Sequence, residues 1–259
     1  MPGSRRHGPL RALGLSFYSA DLYRDAAAHW RGFAFGYLVV LLGISWLIMA
    51  AVLHHGFRRW CANDAPAIVA QIPPLSLKNG ELYADVEQPY FVTDDASGEV
   101  IAVVDTTGTI TTLEQAGARF LFTKTEAIVE RNPSEVRVYR FNTIGDFALD
   151  QAVVQTWLNR VADWMGFILF PFALAGSYVY RVVQILIYAL IGLAFARILQ
   201  VQLSYPAAVS VATLSITPPV LLSTALQLSG AQIPFPWLFW FLMAASYLFF
   251  GVYSNRSSD

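Results

Sequence analysis

The stretch that decides the fold is GSYVYRVVQILIYALIGLAFARIL, residues 176–199. It is almost wholly apolar, yet it carries Arg181 among valines, isoleucines and leucines. A charge in such a segment is costly in a bilayer and usually faces a protein interior, a water-filled cavity or a lipid headgroup. The apolar region around it, residues 164–197, would be about 51 Å long as one helix. Since no turn-forming residue lies near Arg181, we predict one long helix, kinked or entered at Pro171.

The composition is that of a membrane protein. Of the 259 residues, 56% are hydrophobic and 14% are charged, and the mean hydropathy is +0.47; soluble domains are about a quarter charged. The net charge of −1 gives no general attraction to nucleic acid, so we expect no nucleic-acid partner. The single cysteine, Cys61, excludes an intramolecular disulfide and a cysteine-based metal cage.

Hydropathy predicts four transmembrane helices. A helix needs about 20 residues to cross roughly 30 Å of hydrocarbon, and each apolar segment is close to that length or longer. We place them at residues 33–56, 164–198, 206–230 and 235–253. Pro206 and Pro236 suit the first turns of the last two helices. The first segment could instead be a cleaved signal peptide, but its apolar core is too long and follows about 30 residues of polar sequence.

Four crossings place both termini on one side of the membrane, and the arginines indicate which side. Arginines near the membrane ends are more numerous on the terminal side, so the positive-inside rule predicts cytoplasmic termini, including the tail at residues 254–259. The terminal-side arginines are Arg5, Arg6, Arg11, Arg24, Arg31, Arg197 and Arg256, and those on the other side are Arg58, Arg59 and Arg160. The adjacent Arg58 and Arg59 argue mildly against this orientation.

Residues 1–32 form the predicted cytoplasmic arm, which contains an amphipathic helix. Ser19 can cap a helix through ADLYRDAAAHWRG, residues 20–32. Leu22, Ala26 and Trp30 recur at a spacing of four and form an apolar stripe. This stripe predicts an interfacial helix on the bilayer surface, and the alternative is a connector packed on the helical bundle.

Residues 57–163 are long enough for a small domain of their own, and their pattern predicts a β-rich α+β domain outside the cytoplasm. In LSLKNGELYAD, residues 75–85, alternating leucines flank Asn79-Gly80, the pair that favours a type I′ hairpin turn. Two strands around residues 94–98 and three more over residues 118–141 follow, with a turn at residues 132–134. Asp146 is the predicted cap of an amphipathic helix that includes Leu149 and leads into the second crossing.

Several segments together resemble a bacterial membrane family known as domain-of-unknown-function family 1189 (DUF1189), which is itself similar to Yip1-like multi-helix proteins. The matching segments are SFYSADLYRDAAAHWRGFAFGYL, LKNGELYADVEQPYFVTD, IAVVDTTG, YRVVQILIYALIG and LSYPAAVSVATLSITPP. Their order along nearly the whole chain carries the resemblance. It implies a multi-pass protein of the bacterial inner membrane, with no established activity to transfer.

Arg181 is the centre of the candidate site. No acidic residue lies within the four apolar segments, so its partners must be carbonyls, amides, hydroxyls or lipid phosphate. Pro218 and Pro219 lack backbone donors, which frees the carbonyls of Leu214 and Ser215 in the third helix. Three interpretations stay open: a clamp onto these carbonyls, a pocket for an anionic headgroup or substrate, and snorkelling at an interface. The residues of this predicted polar cluster are Arg181, Gln184, Tyr178, Tyr180, Thr217, Pro218 and Pro219.

Other motifs support no catalytic or metal site. The VVDTTG segment is similar to the loop of aspartic proteases, but no second acidic loop exists, so Asp105 is predicted to end a strand in a turn. The acidic tip Asp94-Asp95 with Glu99 lacks the calcium-loop pattern, and His54-His55 lacks a supporting ligand motif. We expect no catalytic residue, no metal and no cofactor.

The sequence favours a non-enzymatic integral membrane protein. The first hypothesis is a scaffold, accessory or regulatory subunit whose extracytoplasmic domain binds a protein partner. The alternative is a lipid-handling or transporter-associated protein with an anionic-ligand pocket around Arg181. Membrane lipid is a predicted partner in either case.

Overall fold

The computed structural model describes residues 7–94, 97–132 and 134–256. The chain divides into two compact units. The helical unit contains Met1–Leu53 and Gly166–Asp259, and the β-rich unit contains His54–Met165. The predicted turn residue Pro133, the acidic-tip residue Asp95, and Arg5 and Arg6 of the arm lie outside the described residues, as do residues 257–259 of the tail.

The helices of the described residues account for most of the chain. They are α1 (Pro9–Leu15), α2 (Ala20–His29), α3 (Phe33–Asn63), α4 (Ala65–Ala70), α5 (Leu113–Ala116), α6 (Gln151–Ile198), α7 (Tyr205–Ser215), α8 (Thr217–Ser229) and α9 (Pro236–Ser254). In this described part, four helical segments are long and apolar enough to cross a membrane: Phe33–Asn63, Gln151–Ile198, Tyr205–Ser229 and Pro236–Ser254. The predicted fold class is confirmed, with a β-rich region inserted between the first two of these segments.

The residue that caps α6 differs from the predicted one. The backbone N–H of Val153 donates to Asp150 Oδ1 at 2.8 Å, so Asp150 caps the helix. Asp146, the predicted cap, instead accepts a hydrogen bond from the backbone N–H of Asn79 at 2.8 Å. Leu149 lies in a short strand rather than on a helix face. The helix itself runs without interruption through Pro171, as the prediction of one long helix requires.

The helix α2 packs inside the helical unit. Ser19 caps it as predicted, with its Oγ accepting from the backbone N–H of Leu22 at 3.3 Å. Leu22, Tyr23, Ala26 and Trp30 are fully buried in the core that α2 shares with α7 and α9. The apolar stripe therefore faces protein, which supports the packed connector over the interfacial helix that we predicted first.

The strands of the β-rich unit are short. They are β1 (Leu75–Lys78), β2 (Glu81–Ala84), β3 (Tyr90–Thr93), β4 (Val100–Val104), β5 (Phe120–Phe122), β6 (Glu126–Asn132), β7 (Glu135–Arg140) and β8 (Phe147–Leu149). Among the described residues they form a three-stranded sheet in the order β2-β1-β8 and a five-stranded sheet in the order β3-β4-β5-β6-β7. The pairing is antiparallel except between β4 and β5, which are parallel and connected through α5.

Local turn chemistry and alternation explain these sheets. Asn79 and Gly80 have φ of 53° and 78°, which confirms the predicted hairpin between β1 and β2. Successive residues of β4 point to opposite faces of the larger sheet: Val104 packs with Leu75 and Leu77 of the smaller sheet, and Val103 packs with Leu121 near α5. The strand β4 of the larger sheet therefore packs on both of its faces.

Candidate functional site

The candidate site is a cavity of about 460 Å³ in the helical unit, which we call the aromatic cavity. Side chains of α6, α8 and α9, together with Ile216 at the junction of α7 and α8, form its wall. Its lining residues are Tyr180, Arg181, Gln184, Tyr188, Ile216, Pro219, Ser223, Trp237, Trp240, Phe241 and Ala244. Aromatic rings supply much of this wall, and Arg181 brings the positive charge.

The polar side of the aromatic cavity is a hydrogen-bonded row along α6. Arg181 Nη1 donates to Gln184 Oε1 at 2.6 Å, and Gln184 Nε2 donates to the Tyr188 hydroxyl at 3.3 Å. Residues three and four apart share a helix face, which is why these side chains meet. The guanidinium carbon also lies 5.6 Å from the centroid of the Tyr180 ring, within cation–π range. All these partners are uncharged, so they orient the guanidinium without neutralising it.

The expected carbonyl clamp is not what the structure shows. The prolines do interrupt the third crossing, because α7 ends at Ser215 and α8 begins at Thr217. Leu214 and Ser215 are nevertheless fully buried in the core. Among the described residues, the hydrogen-bond acceptor of Arg181 is Gln184 on its own helix, not a carbonyl at this break.

The structure brings together part of the predicted polar cluster. Arg181, Gln184, Tyr180 and Pro219 line the aromatic cavity. The other members do not: Tyr178 packs against the core, and Thr217 and Pro218 are buried within it. The Thr217 hydroxyl bonds to the Tyr37 hydroxyl at 3.0 Å and to the carbonyl of Thr213 at 3.3 Å.

Sequence reasoning missed the aromatic wall. The segment PFPWLFWF, residues 234–241, has the aromatic composition of a belt at the membrane interface. Trp237, Trp240 and Phe241 have the spacing of one helix face, and that face lines the cavity. The spacing could have indicated a shared face, but not which helix it would meet.

A second missed cluster surrounds Asp25, which is only 5% exposed. Its carboxylate oxygens lie 3.0 Å from His29 Nδ1 and 3.4 Å from His7 Nδ1. The indole Nε1–H of Trp30 donates to Asp25 Oδ2 at 3.3 Å. His29 and Trp30 follow Asp25 by four and five residues, next to the apolar stripe of α2. This spacing could have indicated that their side chains lie close to the Asp25 carboxylate.

Asp105 occupies the strand-ending turn that we predicted for it. The carboxylate is fully buried and accepts hydrogen bonds from the backbone N–H groups of Thr107 and Ile110 and from the Thr107 hydroxyl. Burial opposes its ionisation, but these hydrogen bonds outweigh burial and hold the pKa of Asp105 below its usual value. The arrangement stabilises a turn and presents no paired carboxylate.

We expect Asp105→Asn to lower the stability of the full-length protein by about 2 kcal/mol at neutral pH, because charge-assisted bonds are lost. Since the folded pKa is depressed, the stabilisation is present above about pH 4 and is lost as the pH falls through the folded pKa. Thermal unfolding in detergent, measured from neutral to acidic pH, should show that the difference in stability between Asp105→Asn and wild type becomes smaller in acid. The exposed Asp85→Asn is the control, and a difference that does not depend on pH would contradict the assignment.

The remaining candidates do not assemble into a metal site. The rings of His54 and His55 lie 5.7 Å apart between centroids. Asp94 accepts from the Ser97 hydroxyl at 2.9 Å within the β3–β4 turn. Within residues 7–94, 97–132 and 134–256, no group of three or more His, Cys, Asp or Glu side chains could hold a metal ion.

The long apolar helices and the inserted sheets define a polytopic helical membrane protein with a β-rich insertion. The chain belongs to the family described as protein of unknown function DUF1189, whose model matches residues 10–252. The family resemblance is thereby confirmed, while the relation to Yip1-like proteins and a bacterial origin stay predictions. Neither the curated proteins nor the solved structures contain a significant match.

Proposed function

We propose that this protein binds an anionic membrane lipid in the aromatic cavity, with Arg181 as the charge partner of the headgroup. The observation that carries the proposal is the position of Arg181: its guanidinium lines a cavity from an apolar helix. Among the described residues, no carboxylate forms an ion pair with it. An anion from outside the chain would neutralise this charge.

The chemistry of the wall supports an amphiphile over a simple ion. Guanidinium offers five N–H donors, and Gln184 accepts from Nη1 alone. Several donors therefore stay available to phosphate oxygens, which arginine binds in a forked geometry. The rings of Trp237, Trp240 and Phe241 give an apolar surface suited to the glycerol and acyl part of a lipid.

Lipid retention tests the proposal. The purified full-length protein would be placed in nanodiscs with equal phosphatidylglycerol and phosphatidylethanolamine, extracted gently and examined by native mass spectrometry. We expect wild type to retain phosphatidylglycerol preferentially and Arg181→Gln to lose at least about tenfold in this preference, because charge-assisted hydrogen bonds are removed. Arg181→Lys keeps the positive charge but loses the forked geometry of the guanidinium. Its preference for phosphatidylglycerol should lie between those of wild type and Arg181→Gln.

The matched control removes another arginine from the same helix. Arg197 is exposed near the end of α6 and does not line the aromatic cavity. Arg197→Gln should leave the preference for phosphatidylglycerol unchanged. Equal retention of phosphatidylglycerol by wild type and Arg181→Gln would overturn the proposal.

A second candidate function is that of a scaffold or accessory subunit whose β-rich unit binds an extended segment of a protein partner. The strand β7 is at the edge of the larger sheet, and its Val136 and Val138 are more than half exposed, at 57% and 52%. Free edges can accept another strand. Failure of the Arg181 experiment would leave this candidate as the better one.

The proposed setting is the bacterial inner membrane, with both termini in the cytoplasm and the β-rich unit outside it. The arginine distribution supports the orientation, and the resemblance supports the type of membrane.

A further inference from the structure

A second, smaller cavity of about 100 Å³ lies beside Arg181. We call it the hydroxyl cavity, because side chains of α3, α6 and α8 line it with hydroxyl groups. Its polar lining residues are Ser45, Ser177, Arg181, Ser223, Thr224 and Gln227. It shares Arg181 and Ser223 with the aromatic cavity. The same guanidinium is therefore in reach of a polar space and of an aromatic one.

Ser45 of α3 lines the hydroxyl cavity and is a buried polar residue. The residue is only 7% exposed, and its Oγ makes no hydrogen bond to the described residues. A buried hydroxyl without a partner is unfavourable, and such groups are rare in folded proteins. The hydroxyls of Ser223 and Thr224 differ, because each donates to the carbonyl of Val220 at 2.9 Å. Ser45 of α3 is thus the buried hydroxyl of this wall that lacks a hydrogen-bond partner among the described residues.

A single ligand that meets both Ser45 and Arg181 in the hydroxyl cavity would need oxygens in more than one direction. Ser45 belongs to α3 and Arg181 to α6, so one acceptor group must meet donors from two helices. A tetrahedral phosphoryl group presents its oxygens in several directions, whereas a planar carboxylate is matched by the arginine fork alone. The volume corresponds to about three water molecules, which leaves room for a small oxyanion but not for a lipid tail.

We infer that the hydroxyl cavity is a phosphoryl-binding subsite, in which Ser45 donates a hydrogen bond to a phosphoryl oxygen held at Arg181. The inference rests on the proposed lipid binding and adds to it the headgroup chemistry and a second recognition residue. The apolar part of the lipid then lies on the other side of Arg181, in the aromatic cavity. Free phosphate offers the same chemistry to the subsite, so the test distinguishes the two sources.

The test is Ser45→Ala in the full-length protein. In the nanodisc experiment we expect about tenfold weaker retention of phosphatidylglycerol, because one hydrogen bond to a charged group is lost. The Tm of lipid-free protein should stay the same or rise, because the substitution removes an unpaired buried hydroxyl. A serine with a merely structural role would lower this Tm and leave retention unchanged.

A separate experiment measures the Tm of the delipidated protein after addition of inorganic phosphate or of phosphatidylglycerol. A rise in wild type that Ser45→Ala abolishes supports a subsite open to free phosphate. A rise with phosphatidylglycerol alone, again dependent on Ser45, supports a subsite for lipid phosphate. If neither ligand distinguishes wild type from Ser45→Ala, the inference is wrong.

The control is Ser210→Ala, since Ser210 is a buried serine of α7 whose hydroxyl donates to the carbonyl of Pro206 at 3.2 Å. It lines neither cavity and should leave lipid retention as in wild type. If Ser45→Ala retains lipid as wild type does and Arg181→Gln does not, the subsite inference is wrong and the lipid-binding proposal stands. Unchanged retention in both variants would overturn both.

Discussion

Gly251→Val is expected to destabilise the helical unit by about 3 kcal/mol or more, the upper range for an overpacked core. A Cβ at Gly251 of α9 would lie 2.5 Å from Tyr23 Cδ1 of α2 and 2.7 Å from Val211 Cγ1 of α7. Tyr23 has little freedom to move away, because it is fully buried and its hydroxyl donates to the carbonyl of Ser16 at 2.9 Å. The branched side chain would therefore force three helices apart. Thermal unfolding in a mild detergent should show the loss as a much lower Tm.

Two further variants test this cause. Gly176→Ala places a methyl group on α6 where no atom lies within 4 Å, so it should be neutral or stabilising by up to about 1 kcal/mol through helix propensity. Val211→Ala makes space at one of the two contacts, so the milder Gly251→Ala should cost less in that background than in wild type. Additive effects of Gly251→Ala and Val211→Ala would contradict the steric explanation.

Local patterns were sufficient for most of the architecture. The apolar segments predicted the four candidate membrane helices, and the Asn79-Gly80 pair predicted the hairpin with its positive φ angles. Leu149 shows where such patterns fail. It lies in β8, a strand of three residues that exists through its antiparallel pairing with β1, where Leu149 is opposite Leu75. A strand that short carries almost no periodicity, and the stabilising partner is distant in sequence.

The candidate site was predictable in its charge but not in its contacts. A lone arginine in an apolar helix indicates a site by itself, because burying its charge without a partner is costly. Its neighbours depend on helix packing, which no local pattern specifies. The sequence therefore could not assign Trp237, Trp240 or Ser45 to the wall of a cavity. The proline break of the third crossing was predicted, but not the core packing that buries Leu214 and Ser215.

The buried carboxylate of α2, Asp25, leads to the second large expected effect. Asp25→Ala should destabilise the protein by about 3 kcal/mol, which corresponds to a fall in Tm of about 6–12 °C for a chain of this size. The substitution removes the acceptor of Trp30 Nε1–H, and Trp30 is fully buried. It also removes the carboxylate beside the imidazoles of His7 and His29. Thermal unfolding in detergent, with the lipid content held constant, measures the effect.

Asp21 supplies the matched control, because it belongs to the same helix and its carboxylate also contacts a basic side chain. Its carboxylate is exposed and lies 2.9 Å from Arg24 Nη1, and surface ion pairs contribute at most about 1 kcal/mol. Asp21→Ala should therefore have a small effect. Asp25→Asn keeps an acceptor for Trp30 but loses the charge. Its loss of stability should therefore lie between those of Asp25→Ala and Asp21→Ala. If Asp25→Ala is as mild as Asp21→Ala, then α2 is held in place by its apolar face alone, and the carboxylate does not stabilise the packing of Trp30.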